Sequence, residues 1–279
     1  LPGLHATYCF TEPKRHRGVF NGILTGQCAE ITIPCVHTET EKEYGVCNLA
    51  SIPLATFVVP DPGAKSGVRV DWAGIVEAAG TATRALDASI DINHYPLGDD
   101  EDDPCRRSNL RHRPIAIGVM GFADVLAHFG LPYGSKEALA LDAATHAAIY
   151  YGAMKASAAL GRERGNFASF EGSAAQRGYL QPDLWVRRGD LHDRWADRID
   201  RTTGGAITVA MWDALRDECR THLRNAYVTA DMPTATTSQT VGMNESNEPF
   251  TTNLYTRRTL AGEFILVNPH LLRDLESRG

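Results

Sequence analysis

Ile115-Ala116-Ile117-Gly118-Val119-Met120-Gly121-Phe122-Ala123-Asp124-Val125-Leu126 is a dense apolar segment with two glycines three residues apart, and it leads into a helix that stops near Gly130-Leu131-Pro132. The glycines suit close packing of this segment against its neighbours. Gly118-x-x-Gly121 looks like part of a dinucleotide fingerprint. The first glycine of G-x-G-x-x-G and a following acidic residue at the right distance are missing, so a Rossmann reading is rejected.

Working outward, the apolar residues Ile75, Val76, Ala79, Ala82, Leu86 and Ile90 recur at intervals of three to four, one face of a helix that ends before Asn93-His94-Tyr95-Pro96. Downstream, Ser135 opens the longest helix, where Leu139, Ala143, Ile149, Ala153, Ala156 and Leu160 supply a core stripe until Gly165. Its alanine richness suits tight helix packing, and Tyr150-Tyr151 read as core aromatics. A turn-rich stretch with Gly172, Gly178, Pro182 and Gly189 precedes a helix expected from about Ala206 to Asn225, with Cys219 on its apolar face as an inert thiol. Tyr227-Val228-Thr229-Ala230 then reads as a short strand leading to Pro233-Thr234-Ala235-Thr236-Thr237-Ser238. At the other end, residues 1–68 read as strands joined by loops, with β-rich runs at Ile31-Thr32-Ile33 and Thr56-Phe57-Val58-Val59. The acidic run Asp99-Asp100-Glu101-Asp102-Asp103 lacks calcium-loop spacing and reads as solvated loop.

The 279 residues allow one large α/β domain or two small ones. Hydrophobic residues at 43% and charged residues at 22% exclude collagenous, disordered and disulfide-scaffold classes. Lys+Arg 28 against Asp+Glu 34 gives a net charge of −6, with no global positive field to hold a nucleic-acid backbone, so a nucleotide handled here is a small one. No apolar run approaches the ~18–20 residues of a membrane span, and Leu1-Pro2-Gly3-Leu4-His5 does not open a secretion signal. A cytoplasmic setting is expected. Six cysteines without a C-x-x-C pair point neither to a disulfide framework nor to structural zinc, and no metal site is expected. The missing initiator Met and the end of the chain directly after a patterned segment read as a piece of something longer.

Two constellations carry chemistry. Thr234, Thr236, Thr237 and Ser238 place four hydroxyls within five residues at a strand–turn–helix junction, a layout that suits a diphosphate or, more simply, a helix cap. Cys28 and Glu30, two residues apart, can project to one side of an extended segment and share one substrate: the thiol as nucleophile, ligand or hydrogen-atom donor, the carboxylate as general base. A core Cys beside a surface Glu is the plain alternative.

Val46-Cys47-Asn48-Leu49-Ala50-Ser51, Arg111-His112-Arg113-Pro114 with the apolar segment that follows, and the run from Pro233 through Asn253-Leu254-Tyr255-Thr256-Arg257-Arg258 to Asn268-Pro269-His270-Leu271-Leu272 closely resemble the large catalytic subunit of class I ribonucleotide reductase, in its eukaryotic and viral branch. The resemblance extends in order from about Gly22 to Gly279, residues 1–20 matching poorly. It implies an α/β fold in which residues 21–279 are part of a ten-stranded α/β barrel with several long helices, the radical cysteine being presented on a central loop. By resemblance, Cys28 is the thiyl cysteine that abstracts the ribose 3′-hydrogen, and Glu30 takes the 3′-OH proton while the 2′-OH leaves as water. Cys47 is one member of the redox pair that ends as a disulfide, its partner lying upstream of Leu1. Thr234, Ala235, Thr236 and Thr237 match the turn that binds the substrate diphosphate.

The resemblance also implies the surroundings. They are a ribonucleoside diphosphate substrate, a metal-containing small subunit that supplies the radical, a large-subunit homodimer, and thioredoxin or glutaredoxin as reductant. ATP and deoxynucleotide effectors would bind regions outside this chain. Two positions depart from the family. Gly26 stands where Asn hydrogen-bonds the ribose hydroxyls, a loss of about 1–3 kcal/mol or roughly one to two orders of magnitude in rate. His222 replaces a glycine ahead of Arg224-Asn225. A degenerate reductase homologue acting as a binding or scaffold protein is the alternative these departures motivate. The partial barrel is expected to be poorly soluble by itself.

Overall fold

The computed structural model describes residues 17–20, 23–26, 33, 35–38, 40–97, 102–259 and 262–279. Its elements, in order, are β1 (Arg17–Phe20), β2 (Ile23–Gly26), β3 (Val36–His37), β4 (Lys42–Glu43), β5 (Leu49–Pro53), a 3₁₀ turn (Leu54–Phe57), β6 (Val58–Pro60) and β7 (Val68–Val70). There follow α1 (Trp72–Ile92), α2 (Pro104–His112), β8 (Ala116–Met120), α3 (Phe122–Phe129), α4 (Lys136–Arg164), α5 (Gln181–Arg188), α6 (Trp195–Thr202) and α7 (Val209–Cys219). The chain ends with α8 (Thr237–Val241), β9 (Leu254–Thr259), β10 (Gly262–Val267) and α9 (Pro269–Arg278). The strands pair two by two: β1–β2, β3–β4, β6–β7 and β9–β10 are antiparallel, and β5 pairs with β8. Helix and sheet are mixed as expected of an α/β chain, and among the described residues no barrel closes. No helix among them is long and apolar enough to cross a membrane.

Two compact units emerge, one of Leu1–Ile52, Trp72–Gly118 and Ala144–Pro233, the other of Pro53–Asp71, Val119–Ala143 and Thr234–Gly279. In the first, the Ile115 and Ile117 N–H groups donate to the carbonyls of Tyr227 and Val228, each at 3.0 Å. The segment expected as a strand at 227–230 thus runs beside β8, but as a single parallel bridge from Thr229 to Ile117. Gly118 is a glycine because a Cβ there would lie 2.7 Å from the Ala230 carbonyl oxygen and 3.0 Å from Met232 Sδ. The alanine-rich α4 approaches α1 so closely that a Cβ on Gly152 would collide with the Val76 carbonyl. Tyr151 and Trp195 pack edge-on to the fully buried Trp212, and Tyr150 stacks on it, so the tyrosine pair is core.

Four sequence readings need correction here. The helix expected to reach Asn225 ends at Cys219, because the donors that would continue it are taken elsewhere: Leu223 N–H by Asn166 Oδ1 (2.9 Å) and Arg224 N–H by the Ser157 carbonyl (3.0 Å). The stretch read as turns contains α5 and α6. Pro182 sits in the first turn of α5, where its missing N–H costs nothing, and Gly189 caps the end with a left-handed φ of +82°. The acidic run does not stay in solvent throughout. Asp102 is exposed and 99–101 lie outside the described residues, but Asp103 is buried as the N-cap of α2. Its carboxylate accepts from the N–H groups of Cys105 (2.7 Å), Arg106 (3.0 Å) and Leu97 (2.6 Å). Of the two β-rich runs, Ile31 and Thr32 lie outside the described residues, and 56–59 is half helical, β6 starting only at Val58.

A buried ionic cluster ties the first unit together. Arg113 follows α2 with a left-handed φ of +46°, immediately before Pro114, a strained position for a residue with a Cβ. Its guanidinium donates to Asp87 Oδ1 (2.7 Å), to the Asp87 carbonyl (2.8 Å) and to both oxygens of Asp91 (2.8 and 2.9 Å). Asn225 Nδ2 donates to Asp87 Oδ1 (3.1 Å) and to the Arg113 carbonyl (3.0 Å), and its other groups are satisfied by Ser157 of α4. Among the described residues Asp87 Oδ2 makes no hydrogen bond, but it faces Arg224 Nε at 3.6 Å and Arg164 Nη1 at 3.8 Å.

A second cluster joins β4 to α2. The buried Glu43 accepts from Arg111 (2.7 Å) and pairs with His112 Nε2 (2.9 Å), whose Nδ1 meets Ser169 Oγ at 2.6 Å. Burial pushes the Glu43 carboxyl up, but the bonds to Arg111 and His112 outweigh it and hold the group below its usual range. Asp91 is held down chiefly by its bond to Arg113. At Asp103, three backbone N–H groups likewise outweigh burial.

In the second unit, glycines at both ends fix α3, Gly121 with φ +79° and Gly130 with φ +65°. Asn268 caps α9, accepting from the His270 N–H at 3.0 Å. Leu254, Phe264 and Ile265 of the β9–β10 hairpin remain exposed.

Replacing Asp87 with Ala strands a buried guanidinium and should lower unfolding free energy by about 3–5 kcal/mol in denaturant titration; a loss below about 1 kcal/mol would contradict the cluster's role. Carboxylates depressed in the folded state stabilise it above their unfolded pKa, and that stability is lost as pH falls through the lowered value. Melting temperature should therefore decline as pH falls below the ordinary Glu value of 4.5, and a flat profile there would count against the buried pairs.

Candidate active-site segments

The sequence singles out eight positions, and they fall in three places. Cys28 and Glu30 lie outside the described residues. Gly26 closes β2, opposite Arg17 of β1, two residues ahead of that cysteine. Cys47 is exposed in the segment entering β5.

Its neighbour Asn48 explains why Cys47 is held where it is. Asn48 is buried, and its Nδ2 donates to Asn109 Oδ1 of α2 and to the Pro114 carbonyl, each at 2.8 Å. The Asn48 carbonyl accepts from Ala116 N–H of β8 (2.8 Å). Asn109 Nδ2 donates in turn to Tyr95 Oη (2.7 Å). Reading the sequence alone matches Asn48 and Asn109 to no role, since a polar clamp between distant segments leaves no periodic trace. A polar residue flanked by apolar ones, as Asn48 is before Leu49, is the only hint.

The other described cysteines are placed differently. Cys35 accepts the Gly45 N–H at 3.2 Å, and burial pushes the Cys105 thiol up. Cys219 is fully buried, and desolvation raises its thiol to about 12, so the inert reading holds.

In the second unit, the turn at 234–237 runs straight into α8. Ala235, Thr236 and Thr237 are exposed, whereas Thr234 is buried. The Thr234 carbonyl accepts the Ser238 N–H (2.9 Å) and the Thr237 hydroxyl (3.4 Å), which curls the turn on itself. Among the described residues, no protein acceptor takes the N–H groups of Ala235, Thr236 or Thr237. Exposed hydroxyls with exposed amide donors form a surface that can receive anionic oxygens. α8 has only five residues, so local donors rather than a macrodipole would carry such binding.

Two contacts brace the turn. Thr234 Oγ1 accepts the Ser246 N–H at 2.8 Å, and Arg257 Nη2 of β9 donates to the Ala235 carbonyl at 2.9 Å. The Ser238 hydroxyl is fully buried and has no hydrogen-bond partner among the described residues.

A family profile described as the ribonucleotide reductase barrel domain matches residues 24–279. A ribonucleoside-diphosphate reductase large subunit of African swine fever virus is 52% identical over 249 residues, which are 89% of this chain and 30% of the viral protein. The proteins of the same name from monkeypox virus and Caenorhabditis elegans are 40% and 37% identical over 91% of the chain and 29% of their own length. The chain thus spans about three-tenths of the length of these relatives.

Alkylation with iodoacetamide at pH 8, read by peptide mass spectrometry, should label the exposed Cys47 well before the buried Cys219; equal rates would contradict the packing around α7. The matched span, residues 24–279, covers the positions of Gly26, Cys28, Glu30, Cys47 and the turn at 234–237. The chain belongs to the ribonucleotide reductase family, within its barrel domain.

Proposed function

We propose that this chain supplies the central chemistry of a ribonucleoside-diphosphate reductase large subunit, reducing ribonucleotides to deoxyribonucleotides. The observation that carries the reading is that one family match spans the thiol, the carboxylate, the redox cysteine and the phosphate turn together. In this reading residues 21–279 belong to the ten-stranded catalytic barrel. The radical arrives from a metal-containing small subunit, and no metal is required of this chain.

The roles follow from the groups present. Cys28, as a thiyl radical, takes the ribose 3′-hydrogen and later returns one, which suits a weak S–H bond. Glu30 accepts the 3′-OH proton while the 2′-oxygen leaves as water. Cys47 and a partner thiol provide the two electrons and end as a disulfide, to be reduced again by thioredoxin or glutaredoxin. Ala235, Thr236 and Thr237 hold the diphosphate with amide and hydroxyl donors, and Thr234 shapes the turn that presents them. Binding of the non-reacting diphosphate holds the substrate, so that the turn supplies positioning rather than new chemistry. Gly26 offers no side-chain donor to the ribose, which slows turnover without removing any reacting group. The large subunit works as a homodimer in this reading, and its effector sites lie in other parts of the polypeptide.

The test uses the complete large subunit carrying this chain, assayed with its small subunit on a ribonucleoside diphosphate. Cys28→Ser should abolish turnover while the substrate's dissociation constant stays within about two-fold, since the diphosphate contacts are untouched. Turnover surviving in that variant would refute the radical assignment.

A further inference from the structure

The hydroxyl of Thr234 points into the protein, and tracing its partner leads to a residue with no role so far. Ser246, which accepts no strain lightly at φ +39°, donates its N–H to Thr234 Oγ1 (2.8 Å). The loop that carries Ser246 is laid against the start of α3. Gly121 N–H donates to the Asn244 carbonyl (2.9 Å), Phe122 N–H to the Ser246 carbonyl (3.4 Å), and Asn244 N–H to Asp124 Oδ2 (2.7 Å). A Cβ at Gly121 would lie 3.2 Å from Met243 Cβ and 3.3 Å from Asp124 Oδ2, and the left-handed φ of +79° favours glycine where this loop approaches.

Asp124 is the joint of this assembly. It is buried in the first turn of α3, and its two oxygens serve two segments: Oδ2 takes the Asn244 N–H, and Oδ1 pairs with His270 Nε2 of α9 at 2.7 Å. His128, on the same helix as Asp124, packs edge-on to the His270 ring at 5.1 Å, and Phe250 packs on the other ring edge at 5.9 Å. Both carboxylate oxygens are therefore committed within the protein.

We infer that Asp124 is a positioning residue for the phosphate turn, acting through Asn244, Ser246 and Thr234 to hold Ala235, Thr236 and Thr237 in the arrangement that receives the diphosphate. The inference rests on the reading of 234–237 as the diphosphate turn. The chain of contacts is short and each link is a charged or backbone hydrogen bond that is at least partly buried, where loss of one partner weakens the hold on the other. Thr234 acts in it through its accepting oxygen, so a threonine or serine fits and a valine of the same shape does not.

The experiment measures kcat, KM and the equilibrium dissociation constant for a ribonucleoside diphosphate in the complete large subunit with its small subunit. Asp124→Ala and Thr234→Val should each weaken diphosphate binding and raise KM roughly ten-fold or more with kcat changed far less, because the reacting thiol is untouched. Asp124→Asn, which keeps an acceptor for the Asn244 N–H, and Thr234→Ser should restore most of the affinity. Hydrogen exchange at the Ser246 amide should accelerate in Thr234→Val, a readout that stands even if Asp124→Ala fails to fold. Unchanged affinity in Thr234→Val and Asp124→Ala, with Thr236→Val/Thr237→Val still losing it, would overturn the positioning role alone. Unchanged affinity in Thr236→Val/Thr237→Val would overturn the phosphate-turn reading on which it rests.

Discussion

The guanidinium of Arg113 is the constraint around which the first unit is arranged. A buried cation is unfavourable unless its partners are complete, and here two carboxylates and a backbone carbonyl complete them. Those partners sit on α1, while Arg113 itself follows α2, and Asn225 and Ser157 extend the network to α4 and to the chain after α7. The left-handed backbone at Arg113 directs the chain from α2 into β8. From there Asn48, bonded to the carbonyl just after Arg113 and to Asn109 just before it, fixes the segment that carries Cys47. The cost of strain before a proline is offset by the same bonds that make the turn specific.

The second unit relies on smaller devices of the same kind. Asp124 there does for the 243–248 loop what Asp87 does for α1 and α2: a buried carboxylate shares its oxygens between segments distant in sequence. Both units thus place their candidate chemistry on turns and short segments, and hold those segments with buried polar groups rather than with apolar area. Such contacts specify one geometry, which matters where a hydroxyl or an amide must meet a substrate oxygen within a few tenths of an ångström.

Periodic features were legible in the sequence and polar clamps were not. The stripe from Ile75 to Ile90 gives α1 to within a residue or two, and Ser135 caps α4 through its hydroxyl, accepting the Ala138 N–H at 3.1 Å. Gly118 announced a close approach that Ala230 and Met232 make concrete. The Ala206–Asn225 reading overran because apolar spacing continues through Leu223, whereas the backbone donors beyond Cys219 belong to Asn166 and Ser157. Pro182 and Gly189 were read as turn residues when they mark the two ends of a helix. The hydroxyl-rich turn was found from composition, but the buried side of Thr234 depends on Ser246, twelve residues away, and no local pattern records it. Cys28 and Glu30 were reached through a weak spacing argument strengthened by family resemblance, and they lie outside the described residues.

The central proposal is that the turn at 234–237 receives the diphosphate of a ribonucleotide substrate. A crystal structure of the complete large subunit with a ribonucleoside diphosphate bound tests it most directly. That proposal predicts the phosphates on the N–H groups of Ala235, Thr236 and Thr237; phosphates bound elsewhere would contradict it.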